Sequence, residues 1–238
     1  MKLLYGVRSL VFYLGYAPIV VVFSLLSFTI GLLLPHRYLQ EMVTWGNFLI
    51  VHWLRLTCGV RLRVLGEDNI PERPFVILSK HQSSWETYYL QRRFRPVSTI
   101  LKQELLRIPF FGWGLKTTRP IAIDRSNPRR ALREIIEQGV ERLRSGNNVI
   151  VYPEGTRMDP GKTGNYGRSG AALAVAAGVP VLPVALNAGH CWPARRFLKY
   201  PGTITVVFGE PLAAAGGDSK AITAAARDWI EATQKTIG

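Results

Sequence analysis

Hydrophobic positions crowd together near the amino end of the chain and break into short, regularly interrupted blocks from about residue 60 onward. Residues 9–36 contain no Asp, Glu, Lys or Arg, and residues 10–34 read LVFYLGYAPIVVVFSLLSFTIGLLL. About 20 such residues are enough to span a bilayer. Pro18 has no amide hydrogen to give to a helix interior and is expected to interrupt the helix there. Two readings follow, a kinked span or a helix that dips into one leaflet and returns. A cleaved signal peptide fits poorly, because the run exceeds the roughly 7–15 residues of such a core and no small-x-small site follows promptly. Between residues 41 and 58, Met42, Trp45, Leu49, Trp53 and Leu56 recur at helical spacing, interrupted by Asn47, His52 and Arg55. This segment suits either the headgroup boundary or a face packed on a globular domain.

Beyond residue 60 the pattern predicts strands at 60–65, 75–79, 98–101, 121–124, 148–152, 180–186 and 203–208. Several are apolar throughout, as strands covered on both faces are. Residues 127–144 predict a helix with Ala131, Leu132, Ile135, Ile136, Val140 and Leu143 on one stripe, capped by Asn127 with Pro128 after it. Further helices are expected at 169–177, ending at Gly178, and at 219–235. Strand–helix alternation predicts the α/β class, with a mostly parallel central sheet flanked by helices. The expected organisation is a membrane-associated helical segment over 1–59 and an α/β domain over 60–238. Ligands of such sheets bind outside the carboxyl ends of strands, which directs attention to the residues after Ser79, Asp124, Tyr152 and Leu186.

Composition narrows the partners. Of 238 residues, 30 are Lys or Arg and 16 Asp or Glu, a formal charge of +14. That surplus calls for an anionic partner: nucleic acid, a phospholipid surface or a phosphorylated substrate. A nucleic-acid binder would explain the charge but not the long uncharged run, so no nucleic-acid partner is expected. The 47% hydrophobic content excludes a disordered chain. Cys58 and Cys191 cannot build a disulfide framework and fit a reducing compartment.

The strand ends carry the candidate chemistry. After residue 79 comes Lys80-His81-Gln82-Ser83-Ser84-Trp85-Glu86. With His81 on the turn and Glu86 in the first turn of a following helix, capped by Ser83 or Ser84, the carboxylate would orient the imidazole and leave its other nitrogen free to take a proton. The same spacing, Ser83-x-x-Glu86, also has the form of a capping box, in which Glu merely satisfies a backbone donor. His36, His52 and His190 have no such setting and read as structural. Tyr152-Pro153-Glu154-Gly155-Thr156-Arg157 forms a second turn, where Gly155 permits a sharp bend and Arg157 offers a fork of donors suited to phosphate. Taken singly, Arg157, Lys102 and Arg125 are equally solvated charges; their convergence with His81 would make them a site. Gly167-Arg168-Ser169-Gly170-Ala171 lacks the last glycine of a nucleophile elbow, and Gly161-Lys162-Thr163 lacks the glycine that a phosphate loop needs at position 156. No metal-ligand cluster is present in the sequence, so no metal or other cofactor is expected.

Four blocks in order, His81-x4-Glu86, residues 102–125, Pro153-Glu154-Gly155-Thr156-Arg157 and residues 179–184, resemble those of bacterial 1-acyl-glycerol-3-phosphate acyltransferases. Glu86 stands where that family usually has Asp, and Tyr166-Gly167-Arg168-Ser169-Gly170 stands in place of its Phe-Lys-Lys-Gly. The resemblance implies transfer of a fatty acyl group from acyl-CoA or acyl carrier protein to the sn-2 hydroxyl of lysophosphatidic acid. Other lysolipids, such as a lyso-ornithine lipid, would use the same chemistry; the alternative of another class is a membrane-associated anion binder without catalysis. The resemblance further implies His81 and Glu86 as catalytic residues. It implies Arg157, Glu154, Gly155, Thr156, Lys102 and Arg125 as substrate-binding, and residues 179–184 as a strand lining the acyl pocket. Such an enzyme would sit on the cytoplasmic face of the bacterial inner membrane, in contact with its lipids.

Overall fold

The computed structural model describes residues 1–124 and 126–238. Its first element, α1 (Lys2–Phe28), passes through Pro18 without a break, contrary to the expected interruption. Packing supplies what the missing hydrogen bond does not. A short 3-10 turn (Ile30–Leu33) leads into α2 (His36–Cys58), and the two helices lie against each other along their length. Gly15 of α1 leaves room for Trp53 of α2: a Cβ there would fall 2.2 Å from the indole Nε1. Gly46 of α2 receives Phe23 of α1 in the same manner, at 2.7 Å. The Trp53 indole then donates to the Phe12 carbonyl at 3.0 Å. Trp45, Leu49 and Leu56 of the predicted α2 stripe are exposed, whereas Leu39, Ile50, Leu54 and Cys58 turn inward. The helix therefore packs on the domain with one face and shows an aromatic and apolar face outward.

All seven expected strands are present: β1 (Val60–Leu65), β2 (Val76–Ser79), β3 (Val97–Lys102), β4 (Ile121–Ile123), β5 (Asn148–Val151), β6 (Val181–Leu186) and β7 (Gly202–Phe208). They form one sheet in the order β1-β7-β6-β2-β5-β3-β4, parallel except where β6 meets β7. The α/β class with a mostly parallel sheet is therefore found. Ile77, Ile150, Leu182 and Val184 point to one face, in a cluster shared with Phe12, Ile50 and Leu54 of α1 and α2. Val76, Leu78, Val149 and Val151 point to the other, under α5 (Pro128–Arg144), α6 (Ser169–Ala177) and α8 (Ser219–Ile237). Residues 1–59 and the rest of the chain thus share one hydrophobic core. Asn127 caps α5 as its sequence predicts, accepting from the Arg130 amide at 3.1 Å. The patterns did not announce α3 (Trp85–Arg93) as a full helix, nor α4 (Phe111–Thr117) and α7 (Ala188–Cys191).

Candidate active site

The parallel register pairs Leu78 with Val151, so the chain leaves β2 and β5 at the same sheet edge. His81 follows β2 and Tyr152 follows β5. Their rings stack with centroids 4.0 Å apart and planes 18° from parallel. The imidazole Nδ1 lies 2.9 Å from Glu86 Oε1. That same oxygen accepts the backbone N–H groups of Gln82 at 2.8 Å and Ser83 at 2.7 Å. The capping and orienting readings of Glu86 are therefore not alternatives: one atom does both. Ser83 Oγ completes the turn by accepting from the Trp85 amide at 3.0 Å, and Ser84 makes no side-chain cap bond. Glu86 is fully buried, and its Oε2 has no hydrogen-bond partner among the described residues. Three donors on one oxygen fix the carboxylate, and Nδ1 must carry a proton to donate to it, which leaves Nε2 as the basic nitrogen. Tyr152 gives its hydroxyl to Thr87 Oγ1 at 3.3 Å. Burial, with the Glu86 charge adding to it, raises that phenol well above its ordinary range, so it stays neutral beside the histidine.

A cavity of about 570 Å³ opens at this edge and takes in His81, Lys102, Gly155, Thr156 and Arg157. Gly155 adopts φ +67°, a left-handed conformation that suits glycine. The turn carries Arg157 outward, and its guanidinium makes no ion pair among the described residues. Lys102 is half-exposed and paired with Glu104 at 3.0 Å. Arg125 lies outside the described residues.

Glu154 differs from the sequence expectation of a substrate contact. Its side chain is buried, and Oε1 accepts from Lys80 Nζ at 2.7 Å and from the Gly164 amide at 3.0 Å. Oε2 receives the His81 amide at 3.3 Å. Lys80 is also 2.7 Å from Glu231 Oε1 on α8. Burial opposes the charge on Glu231, but hydrogen bonds from Lys80, Thr163 and Tyr166 outweigh it and hold its carboxyl below the usual range. Glu154 thus braces the turns after β2 and β5 from beneath instead of facing the cavity.

The strand over 179–184 is likewise not a cavity wall: β6 is buried in the middle of the sheet. The apolar lining of the cavity comes from Ile19, Val20 and Phe23 of α1, Val43 and Ile50 of α2 and Leu115 of α4, together with residues of the sheet such as Ile100 and Val151. Sequence reasoning also missed Tyr152 and Arg195. Arg195 lines the mouth and is held at φ +58°, a conformation that costs energy in a residue with a Cβ. The only sequence signal for Tyr152 was its place at a strand end; Arg195 had none.

Residues 61–187 match the model of the family described as Acyltransferase. A 1-acyl-sn-glycerol-3-phosphate acyltransferase of Pseudomonas aeruginosa is 46% identical over all of this chain and 94% of its own length. The enzyme of that name from Saccharomyces cerevisiae is 29% identical over 78% of this chain and 61% of its own. The crystal structure of the 1-acyl-sn-glycerophosphate (LPA) acyltransferase of Thermotoga maritima superposes with a TM-score of 0.81 at 25% identity, covering 99% of this chain and 96% of that one. A histidine oriented by a carboxylate at a strand end, opening on an apolar cavity that Arg157 also lines, agrees with these likenesses, and the chain belongs to the 1-acyl-sn-glycerol-3-phosphate acyltransferase family.

Proposed function

We propose that this enzyme acylates the sn-2 hydroxyl of lysophosphatidic acid, using acyl-CoA or acyl carrier protein as thioester donor and releasing phosphatidic acid. The observation that carries the reading is the Nδ1–Oε1 contact of 2.9 Å between His81 and Glu86 at the wall of the same cavity that holds Arg157. His81 Nε2 takes the proton of the glycerol hydroxyl as its oxygen bonds to the thioester carbonyl carbon. Glu86 offsets the charge of the imidazolium so formed. When the tetrahedral intermediate collapses, the carbon–sulfur bond breaks, the thiolate leaves with the electron pair, and the imidazolium returns its proton to sulfur. The substrate alcohol occupies the place that a serine takes in an acyl-enzyme mechanism, so no covalent intermediate is needed.

Arg157 holds the phosphate, with Lys102 and Arg125 adding positive charge and Thr156 a hydroxyl. Glu154 and Gly155 shape the turn that presents Arg157. The apolar cavity between α1, α2 and α4 takes an acyl chain. Both thioester donors are cytosolic, which places the site on the cytoplasmic face of the membrane. The apolar outer faces of α1 and α2 support attachment there.

The test is acyl transfer by the purified protein across a panel of lysolipids with CoA and carrier-protein thioesters. Arg157→Ala should raise KM for lysophosphatidic acid about 10–100-fold, as expected for a lost charge-assisted hydrogen bond, and leave KM for the thioester nearly unchanged. An equal rise for both substrates refutes the phosphate role.

A further inference from the structure

A second cavity, of about 370 Å³, shares no lining residue with the first. Helix α3 turns Thr87, Tyr88 and Gln91 toward the reactive cavity, but Trp85, Tyr89 and Arg92 toward this one. Helix α2 divides in the same way, with Asn47 and Ile50 on one side and Phe48, His52 and Arg55 on the other. The edge strand β1 closes the second cavity with Val60, Arg61 and Leu62.

Its chemistry is basic and aromatic. Five arginines line it, Arg55, Arg61, Arg92, Arg93 and Arg95. Arg92 and Arg95 share the Glu41 carboxylate, and Arg93 pairs with Glu67 at 2.6 Å. The side chains of the other two, Arg55 and Arg61, make no hydrogen bond or ion pair among the described residues, so cationic charge exceeds the acids that pair with it. Arg73 alongside senses the crowding: burial, then the charges of Arg95 and Arg93, lower its pKa. Trp85 stacks on Tyr89 with centroids 4.9 Å apart, and Phe48 lies 4.9 Å from the His52 ring. Guanidinium forks beside aromatic faces suit a phosphate attached to a larger, partly apolar molecule.

Position selects among such molecules. Phe48, His52 and Arg55 belong to the exposed stripe of α2 that also carries Trp45, Leu49 and Leu56. Tryptophan, phenylalanine and leucine in that arrangement belong at a membrane boundary, where a neighbouring arginine reaches the headgroup layer. The cavity therefore opens along the rim of the apolar face. A lipid whose chains lie against that stripe brings its phosphate to Arg55 and Arg61.

We infer that this cavity binds the phosphate headgroup of an anionic membrane phospholipid, at a site separate from the reactive one. The test compares partitioning of the full-length protein onto phosphatidylcholine vesicles with and without one-third phosphatidylglycerol. Two double variants are used, Arg55→Gln/Arg61→Gln and, as a charge-matched control on the opposite sheet face, Arg129→Gln/Arg133→Gln. The first pair should weaken binding to the anionic vesicles about thirtyfold, from the contribution of each arginine near a charged surface, and the control pair less than about threefold. On neutral vesicles both should bind as the parent does. Equal losses in the two pairs would mean diffuse attraction and overturn the site. So would a loss of coenzyme A binding in the first pair with vesicle binding intact, which would give the cavity to a nucleotide.

Discussion

The three hydrogen bonds that converge on Glu86 Oε1 hold different things: two fix the start of α3 and the third fixes the imidazole of His81. Glu86→Gln separates these duties. The amide oxygen still accepts all three donors, so the helix start survives, but the charge opposite the imidazolium is gone. Under the proposed mechanism kcat should fall by roughly 10–100-fold while the melting temperature stays within a few degrees; an unchanged kcat would leave Glu86 as a cap alone. His81→Ala removes the proposed base and should cost about 10²–10⁴ in kcat. The His81-x4-Glu86 pair was legible in the sequence because a turn and one helical turn suffice to join it. Tyr152 was not, since its stacking on His81 depends on the register between β2 and β5. Glu154 was misread for a similar reason: its partner Lys80 lies 74 positions away.

At the level of elements, the strands were legible because each is a short β-branched or apolar run with a turn after it. Helices α3 and α4 were not. The first mixes polar and aromatic residues (WETYYLQRR), and the second is a seven-residue helix with two glycines. The course of α1 through Pro18 was also hidden, because the contacts that hold α1 come from α2 and α4. The start of α2 has a pH dependence of its own. Burial, then the charges of Arg119 and Arg142, lower the His36 pKa from 6.5 to about 4. The unfolded chain therefore binds a proton between these values that the folded chain refuses, so stability is lost as pH falls through that window. Relative to His36→Gln, the parent protein should lose stability in urea unfolding between about pH 6.5 and 4, and the two should run parallel above pH 7.5 or so.

At the scale of the whole molecule, Lys80 ties three distant parts of the chain together: the turn after β2, the turn after β5 through Glu154, and α8 through Glu231. Its side chain is 1% exposed. Lys80→Met would strand the buried Glu154 carboxylate and should destabilise the fold by about 3–5 kcal/mol in urea unfolding. Adding Glu154→Gln should restore part of that, since an amide is far less costly to bury without a countercharge. The cavity beside His81 is likewise a property of the whole, walled by α1, α2, α3, α4 and the strand ends together. The share of its apolar lining that α1 and α2 supply was invisible to a reading that treated the first 59 residues as an attachment. The shared wall has a practical consequence. A shortened protein lacking α1 would not be a water-soluble form of this enzyme: losing Phe12, Ile19, Val20 and Phe23 would unroof the chamber and open the central core at once. The apolar helix proposed to meet the membrane and the wall of the cavity are here the same piece of architecture.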